Sequence, residues 1–186
     1  MDAFKESYLG SDSYGIKRFI LAHTILFSME GIPAVYIQSL VGSKNDYSKV
    51  KKTGLNRSIN RRNWEFNLLE EKLKNKKTAN SKVFCLLKEI ISIRKKQPAF
   101  HPNATQFTLQ LDDDFFGIWR QSIDRSQSIF CVSNLTNSLK RISLLNINLI
   151  STNEWFDIIS RKQIKNQSGI ITFKPYQTYW LTNKVF

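Results

Sequence analysis

Two arginines, Arg57 and Arg61, stand four residues apart in the stretch TGLNRSINRRNW. A planar guanidinium offers paired donors that suit vicinal sugar hydroxyls, a carboxylate or a phosphate, and it stays charged at any relevant pH. A single loop arginine also serves as a plain surface residue or as a brace to a nearby carboxylate, and the spacing alone leaves that choice open. Upstream, Asn45 and Asp46 are suited to shaping a loop through Asx-type hydrogen bonds. Arg62 reads as solvated. The other chemistry-bearing residues point elsewhere. His23 lies in an apolar run with no nucleophile or carboxylate to partner it, and it reads as a packed structural histidine. Asp112, Asp113 and Asp114 fall between two strand-like runs and read as a hairpin turn. Glu70 and Glu71 read as a solvated helix face. No metal-ligand spacing, phosphate-cradling glycine loop or Ser/His/Asp arrangement is found, so no catalytic residue, metal or cofactor is expected.

The elements that must position these residues follow from periodicity. A helix is expected over Tyr14–Met29, after the Ser11-Asp12-Ser13 capping cluster, with Gly31 closing it. The apolar, partly β-branched run Ile32–Ile37 reads as a buried parallel strand. A long polar loop carrying Asn45 to Arg62 follows, then an amphipathic stretch over Glu65–Lys77 and a helix over Ser81–Arg94. Pro98 ends that helix because the residue before a proline is pushed out of helical geometry. Helix, buried strand, polar loop and helix make one slice of an α/β barrel or a doubly wound sheet, where sites sit past the strand's C-terminal end. From Thr105 the pattern switches to short β-rich runs: 107–111, 115–120, 128–134, 142–145, 154–159, 169–173 and 178–182. Polar turns, 166–169 among them, separate these runs, which predicts an antiparallel sheet or small sandwich. The expected domains are therefore 1–100, a partial barrel, and 101–186, an antiparallel β-domain. Trp119, Trp155 and Trp180 read as core or interface anchors.

Four pieces in order resemble the α-amylase clan, in particular its sucrose phosphorylase and glucosylglycerate phosphorylase branch. They are GIPAVYIQSLVGSKND, TGLNRSINRRNW, LLKEIISIRKKQPAFHPNATQ and FKPYQTYWL. The resemblance implies the seventh helix, eighth strand, substrate-side loop and eighth helix of a (β/α)8 barrel, followed by the clan's C-terminal β-domain. It implies that Arg57 lines a glucose subsite, that Arg61 is the second arginine of that motif, and that Asn45 and Asp46 follow the strand. It also implies glucosyl transfer between a sucrose-like donor and phosphate by double displacement, which needs an aspartate nucleophile and a glutamate acid/base. No matching carboxylates occur here. The chain is therefore expected to be the tail of a larger enzyme, inactive alone, with Met1 an internal start or the chain a separated fragment.

Composition fits a folded polypeptide: 41% hydrophobic and 12% aromatic, in 186 residues. The formal charge of +13 by itself suggests polyanion binding. Its lysines cluster on solvated faces at 44–52, 72–77 and 94–96, so a nucleic-acid partner is not expected. No leader-like start or bilayer-length apolar run is present, and a cytoplasmic chain without a membrane partner is expected. Cys85 and Cys131 lack metal or redox spacing and are expected to be reduced core cysteines. For the parent enzyme the resemblance implies a sugar or a phosphorylated or acidic sugar, and inorganic phosphate, as partners; for this chain, self-association through exposed barrel surface is an expected possibility. The alternatives are a non-catalytic carbohydrate-binding or scaffold module and a basic nucleic-acid-binding protein.

Overall fold

The computed structural model describes residues 2–7, 10–147, 154–164 and 169–182. Its contacts divide the chain into two compact units. One comprises residues 1–20 and 34–89, the other residues 21–33 and 90–186. The expected turn at 166–168 lies outside the described residues.

In the first unit a short hairpin, β1 (Glu6–Ser7) with β2 (Gly10–Ser11), precedes helix α1 (Gly15–Ser28). Arg18 is buried and ties the helix to the residues before it. Its Nε and Nη2 donate to the Phe4 carbonyl at 3.0 and 2.7 Å, and Nη1 meets the Asp12 carboxylate at 2.7 Å. Residues 32–36 do not form the expected strand. They pair with no other strand among the described residues, and Ile32, Tyr36 and Ile37 are 83%, 49% and 57% exposed. A run apolar on both faces becomes a strand only when neighbouring strands take its backbone groups, and none does so among the described residues. The region expected as a loop is instead partly helical. It holds α2 (Ile37–Leu40), α3 (Tyr47–Thr53) and a 3-10 turn over Asn56–Asn60. Helices α4 (Phe66–Lys74) and α5 (Ala79–Arg94) follow close to their expected places. The apolar stripe of α5 buries Val83, Leu87, Ile90 and Ile93, which leaves Cys85 on the solvent side. The expectation of a buried Cys85 is therefore corrected: two residues from both Val83 and Leu87, it lies on the opposite face of the helix. Cys131 is buried as expected.

The second unit is built on six antiparallel strands. They are β3 (Thr105–Thr108), β4 (Phe115–Gln121), β5 (Ser128–Asn134), β7 (Phe156–Asp157), β8 (Lys162–Gln163) and β10 (Thr178–Thr182), in the spatial order β3-β4-β5-β10-β7-β8. A separate pair joins β6 (Lys140–Ser143) to β9 (Ile170–Phe173), with Ile142 opposite Ile171. Inward residues of both sheets meet in one cluster that includes Phe130, Val132, Ile142, Leu144, Ile171, Phe173 and Leu181. Trp155 and Trp180 are buried, and Trp119 stacks on Phe130 with ring centroids 5.4 Å apart. These three tryptophans anchor the core and form no solvent-facing platform. The Asp112–Asp114 stretch makes the turn into β4, where the Phe115 amide donates to the Asp112 carbonyl at 2.9 Å.

Two buried arginines close the C-terminal end of α1, which leaves carbonyls without intrahelical donors. Arg94 donates to the carbonyls of Phe27 (2.7 Å) and Gly31 (3.0 Å). Arg120, fully buried, donates to Ser28 (3.2 Å), His101 (3.1 Å) and Ala104 (3.2 Å). The helix thus ends at Ser28 on side-chain caps from distant sequence. Gly31, the expected closing glycine, lies beyond the end of the helix at Ser28 and takes φ +82°, a conformation that costs other residues strain.

Candidate functional site

The candidate site is the loop system of the first unit, from Tyr36 to Trp64. Its framework is polar and closely hydrogen-bonded. Asp46 caps α3: its carboxylate accepts from the Lys49 amide at 2.9 Å and from the Ser48 hydroxyl at 2.7 Å. The Ser48 hydroxyl and then the Lys49 amide hold the Asp46 carboxyl below its ordinary range. The Asp46 amide in turn donates to the Ile59 carbonyl at 2.7 Å, which binds the start of α3 to the 3-10 turn. Gly54 ends α3 in the left-handed region at φ +67°, and the chain reverses there into that turn. Ser58 is buried inside it, its hydroxyl 3.0 Å from that of Thr53.

The far side of the loop is held just as firmly. The Lys49 ammonium donates to the Arg61 carbonyl and to the Asn63 side chain. The Tyr36 hydroxyl donates to the Asn60 carbonyl at 3.2 Å, and the Gln38 amide to the Arg62 carbonyl at 2.8 Å. Gln38 accepts from Ser43, whose hydroxyl oxygen accepts from the Trp64 indole at 2.8 Å. Residues far apart in sequence thus fix the path of one short segment, and cooperative chains of this kind rigidify a loop.

Arg57 and Arg61 ride on that frame. Both are exposed, and neither guanidinium makes a hydrogen bond or ion pair among the described residues. The frame holds their backbone while their donors stay available. Asn45 and Asp46 sit deeper and are spent on the fold. The Asn45 amide donates to the Asp2 carboxylate at 2.6 Å and its side chain reaches the Tyr47 hydroxyl at 3.2 Å. Arg62 is not the solvated residue expected. It is half-buried, its guanidinium 4.3 Å from the centre of the Trp64 ring, a cation–π contact that removes it from solvent. Tyr36, Gln38, Ser43 and Lys49 are framework residues that sequence reasoning missed. Their only signal is a polar or amphipathic residue beside an apolar run.

No family model matches the chain. Over 172 residues it is 36% identical to the glucosylglycerate phosphorylase of Escherichia coli (strain K12), a match that takes in 92% of this chain and 29% of that protein. It is 33% identical over 95 residues to the sucrose phosphorylase of Agrobacterium vitis, which is 51% of this chain and 18% of that protein. By fold it is similar to AmyP solved in complex with maltose, at a TM-score of 0.73 and 13% identity, over 93% of this chain and 35% of that one. The chain spans less than a third of the length of the curated relatives it matches. The chain is thus similar in sequence to glucosylglycerate phosphorylase over nine-tenths of its length and to sucrose phosphorylase over half of it, and its fold neighbours are α-amylase-family enzymes.

Proposed function

We propose that this chain is the C-terminal portion of a glycoside phosphorylase, one that transfers a glucosyl group between a sucrose-like or glucosylglycerate-like donor and phosphate. In this reading its role is to present Arg57, with Arg61, to the sugar or the phosphate. The observation that carries it is the pairing of two exposed guanidiniums, free of partners among the described residues, with a backbone frame hydrogen-bonded on both sides. A guanidinium held this way binds vicinal hydroxyls or a phosphate through two donors at once. Asn45 and Asp46 act one step back, by setting the loop. The nucleophile and the acid/base of a retaining mechanism are carboxylates closely spaced across the scissile bond. Among the described residues no candidate pair for them stands beside Arg57; in this reading they belong to the rest of the enzyme, and the chain alone turns over no substrate. Ile32–Ile37 and the helices around it are then a barrel segment that becomes a strand only beside its neighbours.

The test is a chimera in which this chain replaces the matched 172 residues of the E. coli enzyme. It should catalyse phosphorolysis of glucosylglycerate. R57A should cut kcat/KM by on the order of 100-fold, the loss expected for a charged hydrogen bond made to the reacting sugar or phosphate. A folded chimera in which R57A and R61A are as active as the parent would remove the arginines from the site.

A further inference from the structure

The two arginines of the loop are mounted differently. Arg57 lies inside the 3-10 turn Asn56–Asn60 and is set by the turn itself: the Ser58 amide donates to the Leu55 carbonyl at 2.9 Å, and the buried Ser58 hydroxyl meets that of Thr53. Arg61 lies just past the turn, at φ −115° and ψ 52°, in no helix or strand. From Asn60 onward three successive carbonyls are each taken by a side chain from elsewhere in the unit. Asn60 accepts from the Tyr36 hydroxyl at 3.2 Å, Arg61 from the Lys49 ammonium, and Arg62 from the Gln38 amide at 2.8 Å. Two of these donors are neutral and the third is a cation, whose hydrogen bonds are roughly twice as strong. Lys49 is half-buried in α3, and its ammonium also donates to Asn63 Oδ1 at 2.9 Å. It makes no ion pair among the described residues.

We propose that Lys49 is the positioning residue of Arg61: its ammonium fixes the Arg61 peptide so that the Arg61 guanidinium meets the sugar or phosphate already oriented, while Arg57 is set independently by the turn. The inference rests on the phosphorylase reading above and extends it to a residue that acts only through another. Charge balance does not explain a lysine here. The segment 44–62 already carries Lys44, Lys51, Lys52, Arg57, Arg61 and Arg62 against Asp46 alone, so a further cation is repelled by its neighbours. What the ammonium gains is its two oxygens, and these belong to Arg61 and Asn63. One donor group therefore sets the direction in which the chain leaves the turn. Like-charge repulsion also disfavours rotamers that fold the Arg61 guanidinium back over the loop, and Arg61 is exposed. A misplacement of about 1 Å in a group that holds substrate costs on the order of 100-fold in rate, so a bond remote from the chemistry is felt in turnover.

K49M keeps an unbranched side chain of similar length and removes its donors. In the chimera described above it should lower kcat/KM by about 10- to 100-fold, and K49R, which restores a cationic donor, should recover most of that loss. A double-mutant cycle separates positioning from general support of the loop. K49M should cost nothing further once R61A is present, and its loss should multiply that of R57A. The isolated full chain gives a readout without turnover. There the backbone amide order parameters of Arg61 and Arg62 should fall in K49M from the rigid value of about 0.85 toward about 0.6, with that of Arg57 unchanged. Losses that multiply in both the R57A and the R61A backgrounds give Lys49 a general structural role and overturn the assignment. So do unchanged order parameters at Arg61, or a K49M chimera within about twofold of the parent, the scatter of independent sites. K49M without effect beside a damaging R61A discards the role of Lys49 and keeps the arginine site. R61A without effect, or a chimera that turns over no substrate, discards the functional reading and this inference with it.

Discussion

Asp157 gives the sharpest test of how the second unit is held together. It lies at the end of β7, buried to 1% exposure. Its carboxylate accepts from three backbone amides: Trp180 at 2.9 Å, Ser160 at 2.9 Å and Ile159 at 3.2 Å. One bond crosses to β10, and the other two shape the turn toward β8. D157A would leave three amides without an acceptor, at about 1–3 kcal/mol each. Removing a buried carboxyl returns part of that, because its desolvation cost disappears. The net expected loss is about 2–4 kcal/mol at pH 7. D157N keeps one acceptor oxygen and should cost about half as much. Burial raises the Asp157 carboxyl above its ordinary value, against the opposing pull of the three amides. The folded state therefore favours the protonated form. Its contribution to stability is fully present below the ordinary value of 3.8 and falls as pH rises through the raised folded value. D157N removes that dependence. Urea unfolding followed by tryptophan emission reads the unit directly, since Trp119, Trp155 and Trp180 all lie in it, and W64F removes the signal from the other unit. Two results would refute the reasoning: D157A within 0.5 kcal/mol of the parent, about the scatter of a surface substitution, or a D157N stability profile that keeps the parent's slope above pH 4.

Thiol labelling separates the two cysteines. Cys85 is exposed and Cys131 is buried, with burial pushing its thiol well up, so a thiolate-directed reagent should modify one cysteine in the native chain and two in urea. Prompt native labelling of both would contradict the packing of β5. D46A removes the cap of α3, and the amides of Lys49 and Val50 should then exchange faster, while Ala79–Arg94 stays unchanged. The Asp46 carboxyl is held below its ordinary range, so the capped state is complete above pH 4 and weakens as pH falls through the lowered value. A D46A chain with unaltered exchange over α3 would detach that cap from the arginine loop.

Most strands from Thr105 onward were legible in the sequence, although the expected runs 107–111 and 142–145 start two residues after β3 and β6 and no run was expected for β8. The expected runs 128–134 and 178–182 coincide with β5 and β10. Alternation, aromatic and β-branched content and polar turns are local signals there, and the strands find their partners within the same unit. The helices α1, α4 and α5 were legible for the same reason, since each carries its own local apolar pattern. Arg57 and Arg61 could be named from their spacing and their motif. That their side chains stand free could not, because it depends on Tyr36, Gln38, Lys49 and Trp64 binding the backbone around them. Tertiary structure also decided matters that no local pattern contains. Arg94 and Arg120 close α1 from 67 and 92 residues away. Cys85, two residues from both Val83 and Leu87, falls on the face of its helix opposite the buried stripe. The clearest case is Ile32–Ile37, whose composition is that of a buried strand. A strand is a relation between segments and not a property of one, and no strand pairs with this run among the described residues.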